Sequence, residues 1–361
     1  MNILISTGHP AQVHNFRVVR EQLIKRGHKV FWLSSKKDIA DYLLNAYGIE
    51  YTQLKRPKKG LLSKALVLLQ NAWITAKVIR KNKIDFVVSR VNPGVVLGSF
   101  LMGRTQIGLS DTEAAGIYDL VFSKFLSAFI TSTSFERTLR NDQIRIDANI
   151  ELFYLHPNYF RYDKDEVYRL LKIPTDTPFV VIRFVSSKAF HDEGTKFITE
   201  KNKIEVVNQI KKYAEVFISS EDNLPPSIQQ YQIKFPFEKV HDVMKEATLF
   251  YGESATMASE CAILGTSAIY VNAQTRGYTN DEQRVGLLYY YKTDEASQTA
   301  SIEKAVELVK NKRIKEETQN KQQEFLKTKI DPVAFTVWFI ENYPDSKRIM
   351  NENPDYQYRF K

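Results

Sequence analysis

The 361-residue sequence predicts an α/β protein of two doubly wound domains, each a parallel sheet covered by helices on both faces. Three observations carry this. The chain is long enough for two domains with separate cores. Its first half alternates short apolar runs with helical segments, the order that builds a parallel sheet. The second half repeats that plan without repeating the sequence.

The first domain opens on Ile3-Leu4-Ile5-Ser6, a strand-like run. Ala11 to Lys25 reads as a helix ended by Arg26-Gly27-His28, and Lys29 to Ser34 as a second strand. A helix from about Lys37 closes at Gly48, a strand covers Glu50–Leu54, and a long helix over 61–81 leads to the strand Ile84–Ser89 and the loop Arg90-Val91-Asn92-Pro93-Gly94. In the second domain, Asp163-Lys164-Asp165-Glu166 resembles a D-x-D metal motif. A helix start explains it better, because an Asp with a Glu three residues on makes a capping signal before an apolar run. A strand over 179–185, a helix Glu200–Tyr213, a strand from Glu215, a break at Pro225-Pro226, a helix Val240–Glu246 and a strand ending at Gly252 follow. A helix through Glu260 and a strand Ser267–Val271 complete the reading. The expected domains are 1–160 and 161–330, with a tail 331–361 whose Phe335, Trp338 and Phe339 form an aromatic helix face that should dock on one of them.

Hydrophobic content of 43% and charged content of 26% are those of a soluble globular protein. The single cysteine, Cys261, excludes an internal disulfide and a cysteine-based zinc cluster, and fits a cytosolic location. No signal peptide is expected, since Met1 runs directly into the first strand. The net charge of +9 asks for an acidic partner. Basic clusters at Lys55-Arg56-Pro57-Lys58-Lys59 and Arg80-Lys81-Asn82-Lys83 flank the 61–79 helix, which Lys64, Gln70, Asn71 and Lys77 make too polar to span a membrane. That helix is either packed in the core with solvated basic ends or a peripheral contact with the inner face of an anionic membrane. No nucleic-acid motif accompanies the basic residues, so no nucleic-acid partner is expected.

Ligands of open α/β sheets bind beyond the carboxyl ends of the strands. In the second domain that selects the turn after Gly252, where Ser254, Ala255, Thr256 and Met257 open a helix. Unpaired amides, the helix dipole and two hydroxyls suit a phosphate or diphosphate there. Glu260 is the only charge between Ser254 and Thr275 and needs donors, which ribose hydroxyls or a distant cation would supply. Arg183, with Ser186 and Ser187 close behind it, suits a diphosphate, against a structural salt bridge as the alternative. His241 reads as a phosphate or base contact or as a cap, and His191-Asp192-Glu193 lacks the spacing of a zinc site. In the first domain His9, His14, Asp111 and Glu113 are candidates for a general base.

The stretch Gly252–Asn272, followed by Arg276-Gly277-Tyr278-Thr279-Asn280-Asp281-Glu282-Gln283, resembles the donor-site region of GT-B glycosyltransferases, and L-x-x-R-G-H-x-V at Leu23–Val30 resembles their opening. More closely, most of the chain resembles a bacterial and archaeal GT-B family of uncharacterised function. The matching pieces are Arg90–Pro93, Ser110–Glu113, Leu155–Phe160, Arg183–Asp192, Ser219–Glu221 and Gly252–Met257. The resemblance implies two Rossmann-like domains facing a cleft and a C-terminal helix crossing back to the first domain. It implies a UDP-linked nucleotide-diphosphate sugar as donor substrate, held by the second domain, with no cofactor and no metal. The first domain would bind a carbohydrate or lipid-linked acceptor and supply the base, in cell-surface polysaccharide or glycolipid synthesis. Two alternatives stand beside this. Non-hydrolysing UDP-N-acetylglucosamine 2-epimerases share the superfamily but show a Ser-Gly-Gly turn and paired glutamates, where this chain has Glu253-Ser254-Ala255-Thr256 and a lone Glu260. A non-catalytic nucleotide-sugar-binding subunit is the other.

Overall fold

The computed structural model describes residues 1–35, 38–58, 60–110, 120–185, 197–234 and 236–361. The chain divides into two compact units, Met1–Tyr159 with Thr328–Lys361, and Phe160–Lys327.

Unit 1 is built on a seven-stranded sheet in the order β3-β2-β1-β4-β5-β6-β7, parallel throughout. The strands are β1 Asn2–Thr7, β2 Lys29–Ser35, β3 Thr52–Leu54, β4 Phe86–Ser89, β5 Thr105–Ser110, β6 Ala128–Ser132 and β7 Ile144–Ile146. In β1, Ile3, Leu4 and Ile5 are all fully buried, as a strand covered on both faces requires. Helices α1 Pro10–Lys25, α2 Asp38–Ala46, α3 Leu61–Asn82, α4 Pro93–Leu101 and α5 Leu152–Leu155 accompany them. Gly94 and Gly98 allow α4 to lie against α3: an added Cβ would come within 2.6 Å of the Asn71 Cβ and 2.5 Å of the Ala72 carbonyl oxygen. The sheet thus extends beyond the strands read from the sequence, by β5, β6 and β7.

Unit 2 carries a five-stranded parallel sheet, β12-β11-β10-β8-β9, from β8 Phe179–Phe184, β9 Glu215–Ser220, β10 Leu249–Gly252, β11 Ser267–Val271 and β12 Leu288–Tyr291. Its helices are α6 Lys164–Leu171, α7 Glu200–Ile210, α8 Val240–Glu246, α9 Ala255–Leu264, α10 Gly277–Arg284, α11 Glu295–Lys310 and α12 Ile314–Thr328. Val180, Ile182, Val207, Leu249, Tyr251 and Ile302 belong to its core. Asp163 caps α6, accepting from the amides of Asp165 at 2.9 Å and Glu166 at 3.2 Å.

The chain then returns to unit 1 as α13 Pro332–Glu341 and α14 Asp345–Glu352. Asp331 caps α13 and also accepts from the Tyr159 hydroxyl at 2.7 Å. Glu341 pairs with Arg26 at 3.1 Å and His28 at 3.0 Å, while Phe335 and Phe339 are fully buried. Among the described residues, no helix is long and apolar enough to cross a membrane.

Candidate functional site

The turn from β10 into α9 lies at the carboxyl edge of the unit 2 sheet. Gly252 is required by close approach, since a Cβ there would overlap the Arg183 carbonyl oxygen of β8. The Glu253 amide donates to that same carbonyl at 3.0 Å. Ser254 is the N-cap of α9, its hydroxyl accepting from the Met257 amide at 3.3 Å. The first amides of a helix have no intrahelical acceptor, and the positive end of the dipole lies there as well. Ala255 and Thr256 contribute those amides, and Thr256 is solvent-exposed. An anion is the ligand this turn suits.

The partner that Glu260 requires comes from the neighbouring helix. His241, the second residue of α8, places Nε2 3.0 Å from Glu260 Oε1, and both side chains are only 7% exposed. With the carboxylate as acceptor, Nε2 carries the proton. The structure therefore joins two residues that the sequence singles out separately. A second carboxylate, which the sequence singles out only as part of the stretch Arg276–Gln283, lies beside the same helix: Glu282 of α10 is fully buried and accepts from the Ser259 hydroxyl at 2.5 Å.

Glu253, part of the turn itself, has a role that the sequence does not assign to it. Its buried carboxylate accepts from the amides of Val185 at 3.0 Å and Ile198 at 2.7 Å, and its carbonyl accepts from Asn272 Nδ2 at 3.1 Å. It thereby ties the chain beyond β8 and the chain beyond β11 to the β10 turn. Burial pushes its pKa up, while the two amides, Lys203 and Arg183 act in the opposite direction. The signal that points to Glu260, a carboxylate amid uncharged residues, was equally available at Gly252-Glu253-Ser254.

Arg183 is engaged: its guanidinium donates to the Ser219 hydroxyl at 2.7 Å and to the Glu221 carboxylate. It stands at the edge where β8 and β9 end, with part of its charge already balanced. Ser186, Ser187 and the His191-Asp192-Glu193 run lie outside the described residues, as do Lys59, Asp111 and Glu113.

In unit 1, His9 is exposed and caps α1, its Nδ1 accepting from the Ala11 amide at 3.3 Å. His14 is buried in the same helix. Its Nδ1 lies 3.2 Å from the Tyr47 hydroxyl and its ring packs against Tyr47 and Tyr154. A cavity of about 590 Å³ opens beside β4, α3 and α4, lined among others by Ser35, Lys55, Leu68, Asn71, Arg90 and Asn92. Asn71 holds the Lys55 backbone from both sides, at 2.8 and 3.0 Å. Val91, in the loop that borders this cavity, has φ of 39°. That conformation strains a β-branched residue and is held by its surroundings. Among the described residues, no group of three or more His, Cys, Asp or Glu is placed to hold a metal ion.

No protein-family model matches the sequence, and no curated protein matches it. Solved structures do. The complex of Staphylococcus aureus MnaA with UDP aligns over 96% of this chain and 97% of its own, with a TM-score of 0.66 at 10% identity. Acinetobacter baumannii MurG aligns over 94% and 99%, with a TM-score of 0.60 at 14% identity. A UDP-N-acetylglucosamine 2-epimerase from Neisseria meningitidis, bound to UDP-N-acetylglucosamine, aligns over 91% and 99%, with a TM-score of 0.60 at 12% identity. At such identities the likeness is one of fold. The chain has the two Rossmann-like parallel-sheet units of the GT-B fold.

Proposed function

We propose that the protein is a metal-independent glycosyltransferase of the GT-B type that uses a nucleotide-diphosphate sugar. The observation that carries this reading is the β10–α9 turn with the His241–Glu260 pair one turn deeper along the helix. The diphosphate is assigned to the amides and hydroxyls of Ser254, Ala255, Thr256 and Met257, with Arg183, Ser186 and Ser187 as its remaining contacts. A carboxylate has about four acceptor positions. Glu260, oriented by His241, is therefore assigned to the ribose hydroxyls as well as to the imidazole. The acceptor is a hydroxyl of a carbohydrate or a lipid-linked sugar, and its binding is assigned to the unit 1 loops.

In the reaction, a base takes the proton of the acceptor hydroxyl and that oxygen attacks the anomeric carbon. The bond from that carbon to the diphosphate breaks, and the nucleoside diphosphate leaves with the electron pair. Fixed amides and a helix dipole stabilise that charge without reorganisation. The base is assigned to His9, Asp111 or Glu113. His14, held against Tyr47 and Tyr154, is assigned to packing.

Titration of a panel of nucleotide sugars against the melting temperature tests the reading, with stabilisation by at least one expected and by none overturning it. Release of UDP only in the presence of an acceptor is the expected activity. Interconversion at C2 without acceptor would assign the protein to epimerase chemistry, and binding with neither activity to a carrier subunit. Glu260→Gln should weaken nucleotide binding roughly tenfold, the scale of a lost hydrogen bond to a charged group. Unchanged affinity would remove the ribose assignment.

A further inference from the structure

We propose that the outward face of α3 docks the protein on an anionic lipid bilayer. The inner face of this helix is spent on unit 1, where Asn71, Ala72, Thr75 and Ile79 are buried. Its outer face carries Leu62, Leu66, Leu69 and Trp73, which are 82%, 60%, 60% and 66% exposed. Positions i, i+4, i+7 and i+11 fall on one line of a helix. A single exposed leucine is ordinary, but four large apolar side chains on one line are a surface that something covers.

The charge around this line selects the occupant. From Tyr51 to Lys83 the sequence holds nine Lys and Arg and no Asp or Glu, equal to the +9 of the whole chain. Lys55, Arg56 and Lys58 stand exposed before the helix, and Arg80, Lys81 and Lys83 stand exposed at and beyond its end. Lys77 reaches over the Trp73 ring, its Nζ 5.4 Å from the centroid. An apolar line with cations at both ends matches a hydrocarbon interior under a layer of acidic headgroups. A second copy of this chain fits poorly, because apposing two such faces brings two like-charged collars together. Since α3 cannot span the membrane, it lies in the interface with this face inward. The proposal stands apart from the nucleotide reading of unit 2: a chain that binds vesicles but no nucleotide sugar keeps this one and loses the other.

The test is sedimentation of the full chain with vesicles of phosphatidylcholine alone or with phosphatidylglycerol added, together with tryptophan emission. Trp32 is buried and Trp338 is stacked on Tyr356, so Trp73 reports the contact. We expect binding to the anionic vesicles, weakened by salt, with a blue shift quenched by brominated acyl chains. The double substitution Leu66→Ser/Leu69→Ser, at exposed positions, should retain the wild-type melting temperature and lower partitioning about tenfold or more. Lys55→Glu/Lys58→Glu should do the same at low salt, and abolish the preference for anionic vesicles. Absence of wild-type binding, or equal binding by the Leu66→Ser/Leu69→Ser variant, overturns the proposal. So does a wild-type dimer that this variant converts to monomer, which would make the face a contact between copies.

Discussion

The Glu253 carboxylate holds backbone from two places at once, because the amides of Val185 and Ile198, on either side of the segment after β8, converge on it. Removing that carboxylate leaves the Val185 and Ile198 amides without their acceptor. Glu253→Ala is therefore expected to lower stability by about 2–4 kcal/mol, measured by urea denaturation. Glu253→Gln, which retains one acceptor oxygen, should lose less. An alanine variant as stable as the wild type would mean that the two amides find other acceptors. The need of Glu260 for a donor is legible from its apolar neighbours. The identity of that donor is not, because His241 lies 19 residues away on another helix and only packing aligns the two.

At the scale of elements, α8 and α9 are closed at their carboxyl ends by lysines from outside the last turn. Lys245 donates to the Leu264 carbonyl at 2.7 Å. Lys315, at the start of α12, donates to the Lys245 carbonyl and, at 2.8 Å each, to the Ala247 carbonyl and the Thr266 hydroxyl. The Lys315 stem is partly exposed but its amine is enclosed, and burial, with Lys245 nearby, lowers its pKa to about 7. The unfolded chain holds this proton to a higher pH, near 10.5, so the contribution of Lys315 to stability rises between pH 7 and 10.5 and is lost as pH falls through 7. Unfolding free energies of the wild type and Lys315→Met at pH 7, 8 and 9 should show the wild type gaining on the variant at each step. A constant difference would mean that Lys315 stays charged across this range. Among the elements themselves, β1 to β4 and the intervening helices are readable because capped helices alternate with apolar runs. β5, β6 and β7 are not. Ile144–Ile146 is three residues long, and Thr105–Ser110 carries Gln106, which is buried only because Val96 and Phe125 offer carbonyls to it. No period marks such a strand from within.

For the whole molecule, the two-unit plan follows from the alternation of elements, and the long-range return of the C-terminal segment to unit 1 is a tertiary event. Val333, Phe335, Phe339 and Ile340 are almost wholly buried there, each representing roughly 1.5–3 kcal/mol of burial. Truncation after Lys327 should therefore cost unit 1 about 5 kcal/mol or more, comparable to the stability of a domain. Hydrogen exchange should find the amides of β1 and β4 unprotected in the truncated chain while those of β8 and β10 remain protected, and retained protection in both units would make the segment dispensable. The sequence by itself determined the fold class, the caps of α6 and α9, the anion-suited turn at Gly252 and the basic character of 51–83, because propensity, capping and charge are local. Tertiary structure alone decided that Arg183 faces Glu221, that His14 is buried, that Glu260 meets His241 and that the apolar line of α3 faces outward. Each of these depends on which surfaces the sheets bring together, and a linear period cannot say which of a helix's faces another element will cover.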